Sequence, residues 1–320
     1  MPSSAAAAAL GCGAPHPRLR RRPVMDSALT TVLLPVALGI VMLGLGLSLT
    51  VDDFRRIGRQ PRAVLIALVC QLVLLPVVAF GLVLAFDLSP VLAVGMMLLA
   101  ASPGGTTANL FSHLFRGDVA LNITLTAVNS IIAVVTLPIV TNLAFAYFEP
   151  DLDGQVGLQF DKAAQVFAIV LIPVAIGMLV RSRKPGFADS MDKPVRLVSV
   201  FVLAAVIAGT IAAERENVTD YLADVGLVTL LFCLCSLGIG YAVPRLLAVE
   251  PKQALASSME IGVHNGTLAI AIAVSVLDSV TLAVPAAVYS LIMFPAAAIV
   301  GYGLSKVVHR QVDEQDPAPV

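Results

Sequence analysis

Glu260, His264 and the pair Asn265-Gly266 stand together in SSMEIGVHNGTLAI, residues 257–270, deep inside an apolar tract. A carboxylate in hydrocarbon is costly and must be neutralised by a proton, a cation or a partner base. No Lys or Arg sits mid-tract, so sodium or a proton remains as counter-charge. A second stretch, VLAVGMMLLAASPGGTTANLFSHLF, carries Pro103, Gly104 and Gly105. Proline lacks an amide hydrogen and glycine resists helix. Gly262 and Gly266 play the same part in the first stretch. Each stretch reads as a span snapped near mid-membrane into half-helices of about 10–12 residues, roughly 15–18 Å.

A snapped helix leaves carbonyls unpaired on one stub and amides on the other. Lipid does not tolerate them, but a ligand or a water-filled cavity does. Carbonyl oxygens with a carboxylate suit a hard cation such as sodium, and half-helix amino termini suit an organic anion. Further polar residues could face the same place. Asn109 follows the first break, and Gln71 is alone in mid-span. Asn122 and Thr126 are four apart, hence on one helix face, with Asn129 and Ser130 a turn beyond. Each has a plainer reading. Thr126 and Ser130 can bond their own helix backbone, and Gln71, Asn122 and Asn129 can join helices by hydrogen bonds. His264 reads as a neutral hydrogen-bond partner, a ligand contact or a proton acceptor. His113 and His309 fall near span ends and His16 in the tail, so all three are expected in water. Cys70, Cys233 and Cys235 read as structural thiols, since no pair has redox or zinc spacing.

The elements that must position these groups follow from composition. The chain has 320 residues, 58% hydrophobic and 13% charged, with mean hydropathy +0.93. Charge is confined to short segments between apolar tracts of about 20 residues, the pattern of an all-α polytopic membrane protein. The tracts do not alternate as strands of an outer-membrane barrel would. Nine transmembrane helices are expected, near 29–50, 63–86, 90–115, 118–147, 162–181, 195–213, 222–248, 252–276 and 280–305. After residue 25, fourteen Lys and Arg fall on one side of the membrane and only Lys162 and Arg215 on the other. That asymmetry places the C-terminus, including the tail 306–320, in the cytoplasm, and the protein in the plasma or inner membrane. Residues 1–28, with RLRRRP at 18–23, read as a disordered tail or as sequence ahead of a translation start at Met25. The net charge of −1 gives no footprint for nucleic acid.

A shift of 161 residues lays one half on the other. Pro90 falls on Pro251, GGT at 104–106 on NGT at 265–267, and DVAL at 118–121 on SVTL at 279–282. The first repeat (29–147) then matches the second (195–305), and residues 148–194 connect them with span 5. Five spans separate equivalent members, an odd number, so the repeats are expected to be inverted, as in secondary transporters.

SPGGTTANLFSHLFRGDVALNITLTAV (102–128) and MEIGVHNGTLAIA (259–271) closely resemble the two crossing-helix motifs of the bile acid:sodium symporter family. GIVMLGLGLSLTVDDF (39–54) resembles its first conserved segment, and the likeness extends over about residues 30–305. The resemblance implies a panel domain, including spans 1, 5 and 6, beside a core domain holding both broken helices. It implies sodium as coupling ion, with no organic cofactor. Glu260 would be shared by two sodium sites, the first completed by Asn109, Thr126 and Asn122. The second would comprise Gln71, the backbone of Ile261 and Val263, and His264. Three departures from the family pattern are Ala108, Asn122 and His264. The imidazole presents nitrogen, a poorer partner than oxygen for a hard cation, so proton coupling or exchange stands as the alternative mechanism. The expected activity is sodium-coupled symport of an organic anion, bile-acid-like or a small carboxylate, in contact with Asn109, Asn265, Thr106 and Thr267. The expected partners are that anion and membrane lipid, with no protein partner implied. Neither an HExxH nor a GxS-type nucleophile pattern appears, so no enzyme is expected.

Overall fold

The computed structural model describes residues 60–150, 160–191, 218–277 and 279–315, with isolated residues between 39 and 58 and between 194 and 201. The tail 1–28 and most of spans 1 and 6 lie outside the described residues. Among the described residues the protein is helical, and its only β pairing is one isolated bridge. The first helix, α1, runs from Pro61 to Ala85 and passes through a π turn at Cys70–Leu74. Then come α2 (Pro90–Ala101), α3 (Thr106–Leu114), α4 (Val119–Phe148) and α5 (Phe160–Arg183). The second half holds α6 (Val218–Leu246), α7 (Pro251–Gly262), α8 (Gly266–Ser275) and α9 (Val280–Gln315). By length and apolarity α1, α4, α6 over Val225–Leu246, and α9 over Val280–Arg310 can each cross a membrane.

Local sequence sets these ends. Pro61, Pro90 and Pro251 open α1, α2 and α7 at the first helical positions, where a missing amide hydrogen is harmless. Asp118 caps α4, its Oδ1 accepting from the Leu121 amide at 3.0 Å. The ends of α1 and α6 repeat one device at the spacing of 161 residues. Asp87 and Ala248 both turn left-handed, with φ 50 and 54. Behind them the amides of Leu88 and Val249 reach back to the carbonyls of Val83 and Pro244, at 3.2 and 2.9 Å. That six-to-one bond closes a helix with a left-handed residue. The same shift carries Pro90–Ala101 onto Pro251–Gly262, residue for residue.

Packing divides each long helix into a buried side and a side for lipid. On α1 the exposed large apolar residues are Leu65, Val69, Val73 and Val77, one every four positions, with Leu84 near the end; on α4 they are Ile131, Val135, Ile139, Leu143 and Tyr147. With apolar residues on both sides, hydrophobicity alone does not tell them apart. The buried sides converge on α2 and α7. α2 packs among α1, α4 and α9, while α7 packs among α3, α4, α6 and α9. Helix α9 runs past the expected end of span 9 at 305 because no Gly or Pro stops it before Pro317.

Candidate functional site

Both snapped helices are present, and they meet. The first break falls between α2 and α3, from Ser102 to Gly105; the second falls between α7 and α8, from Val263 to Asn265. Gly262 therefore closes α7 and Gly266 opens α8, so these two glycines flank the second link. The links lie antiparallel, with Gly104 paired to His264. The Gly105 amide donates to the Val263 carbonyl at 2.8 Å, and the Asn265 amide donates to the Pro103 carbonyl at 2.8 Å. In an unbroken helix the Asn265 amide would bond Ile261 four residues back, so the break releases the Ile261 carbonyl.

Glu260, on the last turn of α7, is wholly buried. Two side chains of α4 donate to it: Thr126 Oγ1 to Oε2 at 2.6 Å and Asn129 Nδ2 to Oε1 at 3.3 Å. One turn earlier on α4, Asn122 Nδ2 donates to the Ala256 carbonyl at 2.9 Å. Asn122, Thr126 and Asn129 thus form one stripe that grips α7 through residues 256 and 260. Gly104 closes the other side of the carboxylate. A Cβ at that position would fall 2.2 Å from Glu260 Oε1 and 2.6 Å from its carbonyl oxygen. Both donors are neutral, and an ionised carboxylate has about four acceptor positions. Two remain for a cation or proton.

The surrounding amides show a consistent polarity. Gln71 Nε2 donates to the Ser102 carbonyl at 3.0 Å, and Asn122 and Asn129 donate through nitrogen as described. The partners are carbonyl or carboxylate oxygens, so each amide orientation is chemically fixed. The oxygens Gln71 Oε1, Asn122 Oδ1 and Asn129 Oδ1 are buried without a hydrogen-bond partner, as is Asn109 Oδ1. Buried polar atoms are almost always paired. Four unpaired acceptors on the elements that meet at one carboxylate suit a hard cation.

His264 is held at both ring nitrogens. Tyr289 on α9 donates its hydroxyl hydrogen to the Gly262 carbonyl at 2.8 Å. Its oxygen lies 3.1 Å from His264 Nδ1, which must therefore carry the hydrogen. Nε2 is left as the acceptor, 3.5 Å from Gln71 Nε2. The links from Gln71 through His264 and Tyr289 to Gly262 all form with a neutral imidazole, leaving Gln71 Oε1 unpaired.

The sodium bile acid symporter family profile matches residues 35–221.

The chain belongs to that family.

It is 31% identical over 262 residues to the uncharacterized sodium-dependent transporter YocS of Bacillus subtilis (strain 168), covering 80% of this chain and 77% of the relative. It is 28% identical over 268 residues to a probable chloroplastic sodium/metabolite cotransporter, BASS2, of Oryza sativa subsp. japonica, with 83% and 62% covered. It is 30% identical over 260 residues to the human sodium/bile acid cotransporter 4, with 78% and 58% covered. Family and apolar helices together make this a multi-pass membrane protein of a transporter family.

Within this symporter-family chain, the expected residues fall into two groups. Glu260, Thr126 and Asn122 line the α4–α7 contact, with Gln71 and His264 joined beside it. Val263 and Asn265 spend backbone groups on the opposite link. Asn265 also caps α8, its Oδ1 accepting from the Leu268 amide at 3.1 Å. Asn109 and Thr267 are half-buried one turn or less beyond the breaks. α3, by contrast, begins without any side-chain cap. Sequence reasoning named Asn129 among the polar residues that could face Glu260 but left it out of the sodium ligands. It missed Tyr289 altogether, since a lone tyrosine in an apolar span carries no periodic signal.

Proposed function

We propose that this protein is a sodium-coupled symporter of an organic anion, working by alternating access. The observation that carries this reading is the buried Glu260 carboxylate, held among the described residues by two neutral donors and accompanied by four unpaired amide oxygens. The words sodium-dependent and cotransporter in the relatives' names support it. Sodium engages Glu260, Thr126, Asn122 and Asn109, with Asn129 added from its contact to the carboxylate. A second ion would draw on Gln71 Oε1 and the carbonyls of Ile261 and Val263. His264, with both nitrogens occupied, contributes a fixed position there and no lone pair.

The substrate is an organic anion, bile-acid-like or a small carboxylate, bound beside Asn109 and Asn265 with Thr106 and Thr267 at the half-helix amino ends. The uncapped start of α3 favours that side, because its first amides need an acceptor. The architecture is nine spans in two inverted repeats, 29–147 and 195–305, joined through 148–194, with a C-terminus in the cytoplasm of the plasma or inner membrane. The repeated helix ends at a spacing of 161 support the repeat. A panel of spans 1, 5 and 6 would rock against the core. Its support is a tight seam, where a Cβ at Gly177 of α5 would lie 2.5 Å from the Leu43 carbonyl.

Uptake of labelled bile acids and short carboxylates into proteoliposomes tests the proposal. An inward sodium gradient is expected to drive accumulation, and Glu260→Gln to abolish it. Accumulation driven by a pH gradient alone, indifferent to sodium, would establish the proton-coupled alternative instead.

A further inference from the structure

A second cleft, distant in sequence from Glu260, lies between the end of α3 and the last turns of α9. It encloses about 780 Å³ and is lined by Leu114, Arg116, Tyr302, Lys306, His309 and Arg310, with Ser305. Arg116 and Lys306 thus face one space, and among the described residues no carboxylate lines it. The basic groups come from two segments that the fold brings together. The Phe115 ring lies on Gly301, where a Cβ would sit 2.3 Å from the ring edge, and Phe111 stacks between Phe115 and Phe294. That contact sets Arg116 beside α9. Arg116 itself is left-handed, φ 59, with its amide bonded to the His113 carbonyl at 3.1 Å. Lys306 Nζ stands 4.4 Å from the centre of the Tyr302 ring, and His309 Nδ1 donates to the Ser305 carbonyl at 2.6 Å. The Lys306 and His309 side chains and the Arg116 backbone are therefore fixed by local contacts.

The cleft opens onto a lipid-facing stripe. Ile299 is 74% exposed and Tyr302 58%. They lie on the same face of α9 as Lys306, at helical spacings of three and four. One face thus passes from apolar to basic within two turns, and Leu114, 63% exposed, adds an apolar lip from α3. A soluble anion would use the basic end and leave the apolar stripe uncovered. An anionic phospholipid would use both, with phosphate among the cations and an acyl chain along Ile299. Arg116 and Lys306, drawn together at a membrane boundary, favour an anion between them.

We propose that this cleft binds the phosphate of an anionic membrane lipid, tying the end of α3 to α9. This site is separate from the transport site and does not depend on the sodium reading.

Native mass spectrometry and melting curves of the detergent-purified full chain test it. The probes are dioleoyl phosphatidylglycerol, dioleoyl phosphatidylcholine and inorganic phosphate. Phosphatidylglycerol should bind at least tenfold more tightly than phosphatidylcholine and raise the melting temperature. Arg116→Asn with Lys306→Gln should remove at least tenfold of that preference. Asparagine tolerates the left-handed backbone, and position 306 is exposed, so the lipid-free melting temperature should hold. Lys306→Arg alone should retain binding, which a role in folding would not explain. Equal binding of the two lipids, or full retention by the double variant, overturns the proposal. Inorganic phosphate protecting at the same concentration as phosphatidylglycerol would overturn the lipid assignment.

Discussion

The backbone of Gly104 lies against the carboxylate of Glu260, so closely that a Cβ at 104 would fall 2.2 Å from Oε1. The residue that breaks the first helix is thus also the wall of the charged site in the second. Glycine is required there for contact, because one methyl group would occupy the carboxylate's place. Gly104→Ala should destabilise the protein by about 1–3 kcal/mol, the usual cost of overpacking. It should also remove the rise in melting temperature that the proposed sodium site predicts on adding sodium. A variant that melts normally and still responds to sodium would mean the link shifts freely.

Glu260→Gln keeps the shape of the side chain and removes its charge. Helical content should stay at the wild-type value by circular dichroism, while stabilisation by sodium disappears. Sodium-driven uptake should fall at least 100-fold. Retention of sodium stabilisation would place the ion elsewhere.

Asn129→Ala deletes a donor to Glu260 Oε1 and one unpaired oxygen. A hydrogen bond to a charged group contributes about 1.5–3 kcal/mol. The half-saturation concentration for sodium should therefore rise about tenfold or more. An unchanged value would reduce Asn129 to a link between helices.

Tyr289→Phe removes the hydroxyl between His264 and the Gly262 carbonyl. Leaving buried partners unpaired costs about 1–3 kcal/mol, seen as a lower melting temperature. His264→Gln offers an amide oxygen in place of a ring nitrogen and should lower the half-saturation for sodium. Because the two side chains touch, the double variant should be non-additive in stability. Strict additivity would show that the hydrogen-bonded chain does not act as a unit.

Much of the site was legible because its grammar is local. Pro103-Gly104-Gly105 and Asn265-Gly266 mark the breaks through backbone chemistry, and the four-residue spacing of Asn122 and Thr126 puts them on one face. Burial of a carboxylate at Glu260 follows from its position in an apolar tract. What was not legible depends on distant partners. Asn129 reaches Glu260 only because α4 turns that face toward α7, and an apolar helix with lipid on one side gives no sign of which side that is. The π turn at Cys70–Leu74, which shifts the helix register around Gln71, contains no Gly or Pro. Such turns often occur at functional sites, yet nothing in CQLVL distinguishes it from ordinary helix. Helix ends fared better. The expected 118–147 became Val119–Phe148, and 252–276 became Pro251–Ser275 around its break.

Pro103 and Gly105 are bonded to Asn265 and Val263 in both directions. Movement of α3 away from α8 would therefore break two backbone hydrogen bonds. Under the proposed alternating access, the linked pair would tip as one lever. The compliance must then lie in the surrounding seams, so a crosslink along those seams should stall the cycle more effectively than one within the linked pair.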